Sequence, residues 1–179
     1  MEKKNIVFIA KSLDGYIAGK NGELDWLFSV PNPDNVETGF GPLMDEIDAV
    51  VMGKNTFDFL LGYEGDWPYA KPVFVLSNSL KTVPERFADK VSLLSGNPPE
   101  VLKTIHARGC YKLYIDGGRT IQSFLELDLI DELRITTIPI LLGGGAPLFG
   151  DLSAALMFEH VKTEVFLGAL VQSWYRRKR

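Results

Sequence analysis

Two segments of the chain combine glycine, a cation and threonine at the point where an apolar run passes into a helical pattern. The first is VMGKNTF, with Gly53, Lys54 and Thr56, and the second is IDGGRTI, in which Arg119 and Thr120 follow a glycine pair. A helix N-terminus has unpaired N–H groups and a partial positive charge, and glycine lets the backbone approach a ligand closely. Both junctions therefore suit a phosphate group, and each taken alone also suits a plain turn.

Two matched junctions in one sheet predict a ligand with separated phosphates, such as a dinucleotide. A third strand end, VLSNS at 75–79, adds small polar side chains that suit a ribose phosphate. No G-x-G-x-x-G motif follows the first apolar run, and the late GGGAPLFG opens no helix, so binding would not use the Rossmann fingerprint. No nucleophile is legible either. Hydride transfer needs none, because the cofactor carries that chemistry.

Length and composition bound the class of protein. A chain of 179 residues that is 46% hydrophobic and 23% charged predicts one globular domain over 1–179. A net charge of −4 disfavours nucleic-acid binding. The single cysteine excludes an internal disulfide, and the two histidines lack metal-ligand spacing. The sequence contains no recognisable signal peptide or membrane span, so we expect a cytoplasmic protein that binds no membrane. From its charge and histidine spacing we also expect it to bind neither nucleic acid nor metal.

The elements that must position these junctions alternate between strand and helix, which predicts an α/β fold. Apolar runs predict strands at 5–10, 49–53, 72–77, 90–95, 112–116 and 131–140. Helical patterns occupy 41–48, 54–62, 98–109 and 119–127, and two alternating runs at 156–166 and 169–177 predict a hairpin. The arrangement is a mostly parallel central sheet with helices on both faces and an antiparallel C-terminal hairpin. The segment 13–39 is too apolar for disorder, which predicts an ordered loop.

Four segments in this order resemble the dihydrofolate reductase superfamily: NIVFIAKSLDGYIAGKNGELDW, DAVVMGKNTFDFLL, PVFVLSNS and LYIDGGRTIQSFLELDLIDELRITTIPILLGGGAPLF. They look most like the reductase half of the bifunctional riboflavin-biosynthesis deaminase–reductase, because of SLDGYIA and PILLGGGAPLF. The resemblance covers nearly the whole chain. It implies a dihydrofolate-reductase-like three-layer α/β/α fold, NADPH as cofactor and a homodimer.

The resemblance also implies an activity. The protein would be an NADPH-dependent oxidoreductase, similar to dihydrofolate reductase or phosphoribosylaminouracil reductase, that reduces a pterin-like or ribosylaminopyrimidine-like molecule. One alternative is a catalytically weak or inactive NADP(H)-binding protein with a regulatory or stress role. Another is a structural protein whose glycines serve turns only. Neither alternative is excluded by the residues alone.

The residues that would hold the cofactor follow from the same resemblance. Ala10 and Ile17 would flank the nicotinamide, the two junctions would hold the phosphates, and the third strand end would line the adenosine side. A cis peptide bond in the glycine pair is also implied. The full implied set is Ala10, Ile17, Gly53, Lys54, Asn55, Thr56, Leu76, Ser77, Asn78, Ser95, Asp116, Gly117, Gly118, Arg119, Thr120 and Ile121.

Three further residues are candidates for the substrate side. Counting back sixteen residues from Gly53, as in folate reductases, gives Glu37 as the catalytic acid. Glu37 stands in ETGFGP, which is a poor helix, so it could instead point to solvent. Trp26 could cover the substrate or be a core tryptophan, and Phe40 would contact substrate. The loop that contains Trp26 would act as a lid over the nicotinamide.

Overall fold

The computed structural model describes residues 2–62 and 65–179, and its elements follow the predicted alternation. The strands are β1 (Lys4–Ser12), β2 (Tyr16–Ala18), β3 (Ala49–Gly53), β4 (Val73–Leu76), β5 (Val91–Leu94), β6 (Lys112–Asp116), β7 (Glu132–Ile138), β8 (Ala146–Pro147), β9 (Phe158–Phe166) and β10 (Leu170–Arg177). The α-helices are α1 (Phe40–Glu46), α2 (Lys54–Gly62), α3 (Pro98–Ala107) and α4 (Gly118–Glu126). Within these described ranges, no helix is long and apolar enough to cross a membrane.

Eight strands form one sheet in the order β5-β4-β3-β6-β1-β7-β10-β9. Neighbours from β5 to β7 run parallel, whereas β10 pairs antiparallel with both β7 and β9. The chain moves outward from β3 to β5 and then returns, placing β6 between β3 and β1. This reversal leaves a crevice at the carboxyl ends of those three strands, where open α/β sheets bind ligands.

Helices cover both faces of the sheet. On one face α2 buries Phe57 against Val50 of β3, and on the other face α4 buries Phe124 in the cluster that contains Val51. The two valines point in opposite directions because successive side chains of a strand alternate between its faces. Phe57 and Phe124 are fully buried, and each such burial stabilises the fold by about 1.5–3 kcal/mol. The predicted three-layer fold and its antiparallel hairpin are confirmed.

The long segment 13–39 is ordered, as predicted, but it contains two short elements that the sequence did not indicate. β2 pairs antiparallel with β8, a two-residue strand in the glycine-rich segment 141–150. A 3-10 helix at Asp25–Phe28 buries Trp26. Elements this short show no periodicity in a sequence, so only their pairing in three dimensions reveals them.

Candidate active site

A cleft of about 1190 Å³ opens at the carboxyl ends of β1, β3, β4 and β6. Small-molecule sites commonly measure about 300–1,000 Å³, so this cleft is large enough for two ligands side by side. Of the implied cofactor residues, all but Ser95 and Ile121 line it. Ser95 is exposed just beyond β5, and Ile121 is fully buried in the core. The fold thus gathers into one cavity residues that lie far apart in sequence.

The two predicted phosphate junctions, β3–α2 and β6–α4, contact each other across neighbouring strands. A Cβ on Gly53 would lie 2.9 Å from Oγ1 of Thr120, and a Cβ on Gly117 would collide with Oγ1 of Thr56. Each glycine therefore leaves room for the threonine of the other junction. Gly117 also has φ of +87° and ψ of 132°, a conformation that residues with a side chain rarely adopt.

The cations of the two junctions differ in their partners. Lys54 forms an ion pair with Asp58 one turn further along α2. Arg119 is exposed, and it has no hydrogen-bond or ion-pair partner among the residues that the structure describes. An anion in the cleft would therefore meet an uncommitted guanidinium at the β6–α4 junction. At the β3–α2 junction it would compete with an existing carboxylate.

The third strand end forms a tight turn after β4. Oγ of Ser77 accepts hydrogen bonds from the backbone N–H groups of Ser79, at 3.2 Å, and Leu80, at 2.9 Å. Its hydroxyl also lies 3.4 Å from that of Ser79, and either oxygen can be the donor in this pair. Leu76 and Asn78 line the cleft on either side of Ser77.

The predicted lid is tied to the glycine-rich segment by a carboxylate. Asp14 accepts a hydrogen bond from Oγ of Ser12 at 2.6 Å and one from the backbone N–H of Gly143 at 2.7 Å. These hydrogen bonds, that from Ser12 first, lower the pKa of Asp14 below its ordinary value. The two tied segments, 13–28 and 141–147, are called the roof below.

The roof lies over the glycine pair of the β6–α4 junction. A Cβ on Gly118 would come within 2.6 Å of Cδ1 of Ile17, the far end of a flexible side chain. Nε2 of Gln122 in α4 donates to the carbonyl oxygen of Pro147 at 2.9 Å, which holds β8 above the same helix. The resemblance implied a cis peptide bond in the glycine pair. That expectation was wrong, because the described part of the chain contains no cis peptide bond.

A half-buried hydrogen-bonded pair, Tyr69 and Asp116, lines the cleft beside the β6–α4 junction. The hydroxyl of Tyr69 donates to Oδ2 of Asp116 at 3.0 Å, and Oδ1 accepts the backbone N–H of Gly117 at 2.8 Å. Burial raises the pKa of Asp116 above its ordinary value, although both hydrogen bonds act in the opposite direction. Burial, together with the Asp116 carboxylate, raises the pKa of Tyr69. Asp116 therefore keeps its proton to higher pH than an ordinary aspartate.

Aromatic rings form a wall of the cleft next to this pair. The ring centroids of Phe8 and Phe40 are 6.3 Å apart, and those of Phe40 and Tyr69 are also 6.3 Å apart. Tyr114 lines the cleft too, and its hydroxyl donates to the carbonyl oxygen of Phe8 at 2.9 Å. Of these rings, sequence reasoning found only Phe40. Tyr69 stands in the irregular segment 65–72, which carries no periodic signal.

The structure places Glu37 and Trp26 outside the residues that line the cleft. The Glu37 carboxylate accepts the backbone N–H groups of Gly39 at 2.7 Å, Phe40 at 2.8 Å and Gly41 at 3.2 Å. It therefore caps the start of α1, and its catalytic role stays a prediction. Trp26 is buried, and its Nε1 donates to the carbonyl oxygen of Glu23 at 3.2 Å.

Comparison with known proteins agrees with this geometry. The model of the RibD C-terminal domain matches residues 3–171 of the chain. The chain belongs to the RibD C-terminal domain family. The uncharacterized protein YwjB of Bacillus subtilis (strain 168) is 30% identical over 180 residues, which cover 99% of each chain.

Solved structures extend the likeness to the fold. A putative riboflavin biosynthesis protein from Shewanella sp. PV-4 is 58% identical, with a TM-score of 0.96 over 98% of this chain and 99% of that one. A dihydrofolate reductase from Enterococcus faecalis, solved with NADP(H), is 19% identical, with a TM-score of 0.68 over 98% of this chain and 97% of the other. At that identity the second likeness shows the fold alone. This RibD-type chain therefore has a reductase-type fold.

Proposed function

We propose that this member of the RibD C-terminal domain family is an NADPH-dependent reductase of a pterin-like or ribosylaminopyrimidine-like molecule. The observation that carries the proposal is the pair of interlocked junctions at one cleft, with the guanidinium of Arg119, which has no partner within residues 2–62 and 65–179, at its edge. Neighbouring strands that end in glycine and lead into helix N-termini suit two linked phosphates. The NADP(H) of the structurally similar Enterococcus dihydrofolate reductase is consistent with such a ligand.

The residues of the cleft fit this cofactor. Gly53 and Gly117 line the cleft, and the hydroxyls of Thr120 and Thr56 that pack against them could donate to a phosphate. Arg119 would bind a phosphate of the cofactor, and Ser77 with Asn78 would bind on the adenosine side. Ala10 and Ile17 would pack against the nicotinamide, beneath the roof. When bound, the cofactor supplies the hydride.

The protein itself would position the substrate, keep water away from the reacting groups and supply a proton. The roof would shield the glycine pair from water, and the aromatic wall would hold the substrate against the cofactor. Asp116 carries its proton to higher pH because of burial, and Tyr69 fixes the orientation of that carboxyl group. We therefore assign the proton donation to Asp116, directly or through a water molecule. Glu37 is the competing candidate from the sequence.

The test is cofactor binding followed by turnover. NADPH should bind with a change in its fluorescence, and its oxidation should be followed with a dihydropterin and an aminopyrimidine as substrates. Asp116→Asn should lower kcat by at least about a hundredfold, the usual contribution of a general acid. Glu37→Gln should leave kcat within about threefold of the parent, and a large loss there would return the proton donation to Glu37. A protein that does not bind NADPH would contradict the whole proposal.

The alternative is an NADP(H)-binding protein with weak or no catalysis. The observation that favours it is the capping role of Glu37, because the carboxylate implied by the resemblance is engaged with backbone N–H groups. Tight NADPH binding without oxidation of the cofactor by any ring substrate would support this alternative.

We also propose a homodimer formed through the C-terminal hairpin. β9 is the outermost strand of the sheet, and its Val161 and Val165 are exposed at 42% and 60%. Native proteins usually cover or charge such an edge, because its open backbone groups invite pairing. Light scattering at micromolar concentration should give about twice the mass of one chain, and Val165→Lys should shift it toward one. A parent protein with the mass of a single chain would contradict the dimer.

A further inference from the structure

The cations that line the cleft both belong to the strand-to-helix junctions. In the described ranges they are Lys54 and Arg119, and the proposed function assigns this side of the cleft to the cofactor. Lys20 lies in the roof, where its side chain runs along Gly144, and it does not line the cleft. The residues outside the described ranges are Met1, Tyr63 and Glu64, and none of these side chains carries a positive charge.

The other side of the cleft presents flat apolar surfaces. Phe8, Phe40 and Tyr69 form a continuous series of rings with centroid spacings of 6.3 Å. Leu24 and Leu27 of the roof segment line the same cavity. Aromatic faces at these spacings favour stacking against another ring, since offset and tilted ring pairs are attractive at centroid distances of about 4.5–7 Å.

The polar side chains on this side, Tyr69, Asp116 and Tyr114, are already engaged in hydrogen bonds within the protein. Tyr69 donates its proton to Asp116, and Tyr114 donates its proton to the carbonyl oxygen of Phe8. Neither hydroxyl proton is left over for a phosphate oxygen. When Asp116 ionises, its negative charge would disfavour a second anion nearby. A neutral ring with N–H or C=O groups at one edge can instead hydrogen-bond to the carboxyl group of Asp116.

We propose that the substrate of this reductase is a flat, uncharged ring compound without a phosphate group. It stacks on the Phe8–Phe40–Tyr69 wall, and its polar edge meets the Tyr69–Asp116 pair. The inference rests on the proposed function, because the cofactor must occupy the junction side. It selects the pterin-like class over the phosphoribosylaminopyrimidine class. A phosphate monoester has nearly two negative charges at neutral pH and is normally met by charge-assisted hydrogen bonds. Among the described residues, this side of the cleft has no cation to make them.

The experiment compares matched ligands that differ only in a phosphate. The parent protein is saturated with NADP⁺, so that a free phosphate group cannot bind at Arg119 or Lys54. Dihydroneopterin is titrated against dihydroneopterin phosphate, and riboflavin against flavin mononucleotide, by calorimetry. The uncharged member of at least one pair should bind tenfold or more tightly than its phosphate. Equal or tighter binding of the phosphates would overturn the inference, and so would the absence of binding by either uncharged ring up to its solubility limit.

Two variants locate the binding. Tyr69→Phe should weaken binding of the uncharged ligand by about two- to tenfold, the usual range for one hydrogen bond. It should leave the NADPH dissociation constant unchanged. Tyr111→Phe is the matched control, since Tyr111 stacks on His106 outside the cleft. An uncharged ligand that binds equally well to the parent and to Tyr69→Phe would overturn the placement at this pair. Failure of NADPH to bind would contradict the proposed function, whereas a phosphate preference in an NADPH-binding protein contradicts only this inference.

Discussion

The β3–α2 and β6–α4 junctions are made of the same residue types on neighbouring parallel strands. They differ in whether their charged side chains already have partners within the chain. Lys54 is paired with Asp58 inside α2, while Arg119 has no ion-pair partner within the described residues. β3 places apolar Met52 at the position level with Asp116 of β6. The first junction therefore completes its contacts within the chain, and the second keeps a cation and a carboxyl group directed to the cleft. We therefore expect the β6–α4 junction to contribute more than β3–α2 to the cofactor binding proposed above.

The largest effect should come from exchanging the two glycines for alanine. Gly117→Ala introduces a side chain at φ of +87° and against the hydroxyl of Thr56. Strained backbone of this kind costs about 1–3 kcal/mol, before the collision is counted. Gly53→Ala meets only Oγ1 of Thr120, at 2.9 Å, and has no positive φ. Urea unfolding should therefore show a greater loss of unfolding free energy for Gly117→Ala. Equal losses would mean that the junctions are equivalent.

The next largest effect should distinguish the two cations, Arg119 and Lys54, by their contributions to NADPH binding. Arg119→Ala should weaken NADPH by roughly tenfold or more, since a charge-assisted hydrogen bond contributes about 1.5–3 kcal/mol. Lys54→Ala should weaken it by about threefold, because Lys54 must leave Asp58 to reach a phosphate. If Arg119 contacts the additional phosphate of NADPH, Arg119→Ala should weaken NADPH more than NADH. Fluorescence titrations measure all of these constants.

The control for that series is Lys103→Ala, which removes a positive charge from the exposed face of α3. Its effect on NADPH should be small, because exposed charges at a distance are screened by salt. A greater loss for Lys54→Ala than for Arg119→Ala would reverse the assignment of the two junctions.

The pH dependence of Tm in Asp116→Asn tests the raised pKa of the carboxyl group at the β6–α4 junction. Burial raises the folded-state pKa of Asp116 above its unfolded value, so the folded protein binds more protons than the unfolded one between those two values. Stability of the parent therefore falls as pH rises through that interval. The variant lacks this penalty, and it should have a higher Tm than the parent at neutral pH. The difference should vanish on acidification below the ordinary aspartate pKa of about 3.9. A pH-independent difference in Tm would contradict the raised pKa.

The smallest effect should come from Asp58→Ala. The Lys54–Asp58 pair is solvent-exposed and spaced one turn apart on α2, and such pairs contribute about 0.3–0.5 kcal/mol to stability. Thermal unfolding should therefore change little, while the released Lys54 should bind NADPH as well as or better than it does in the parent. Weaker NADPH binding by this variant would show that Asp58 itself supports the cofactor site.

The features that the sequence predicted are those that local spacing encodes. Gly53 and Gly117 stand at strand ends whose apolar runs are continuous, and the bounds of β3, α2 and β6 agree with the pattern. The Tyr69–Asp116 pair was missed because its partners are 47 residues apart and meet only through the folded sheet. Glu37 was chosen by counting along the chain, and counting does not show that its carboxylate is engaged by the start of α1.

The roof likewise combines a feature that the sequence predicted with a contact that it did not. The sequence predicted an ordered loop at 13–39, because its apolar content is too high for disorder. It did not predict that Asp14 would hold the loop to Gly143, a contact that spans 129 residues. A turn-forming aspartate and a contact-forming aspartate have the same local signature.

The central position of β1 has a consequence for synthesis. β1 lies between β6 and β7, and both partners come later in the chain than residue 111. The ribosome adds about 5–20 residues per second, so the roughly 100 residues from Ser12 to Lys112 take about 5–20 s. During that time Ile6 and Val7, which are fully buried in the finished protein, have no neighbouring strand to cover them. We therefore expect the nascent chain to need protection from aggregation until β6 and β7 have emerged.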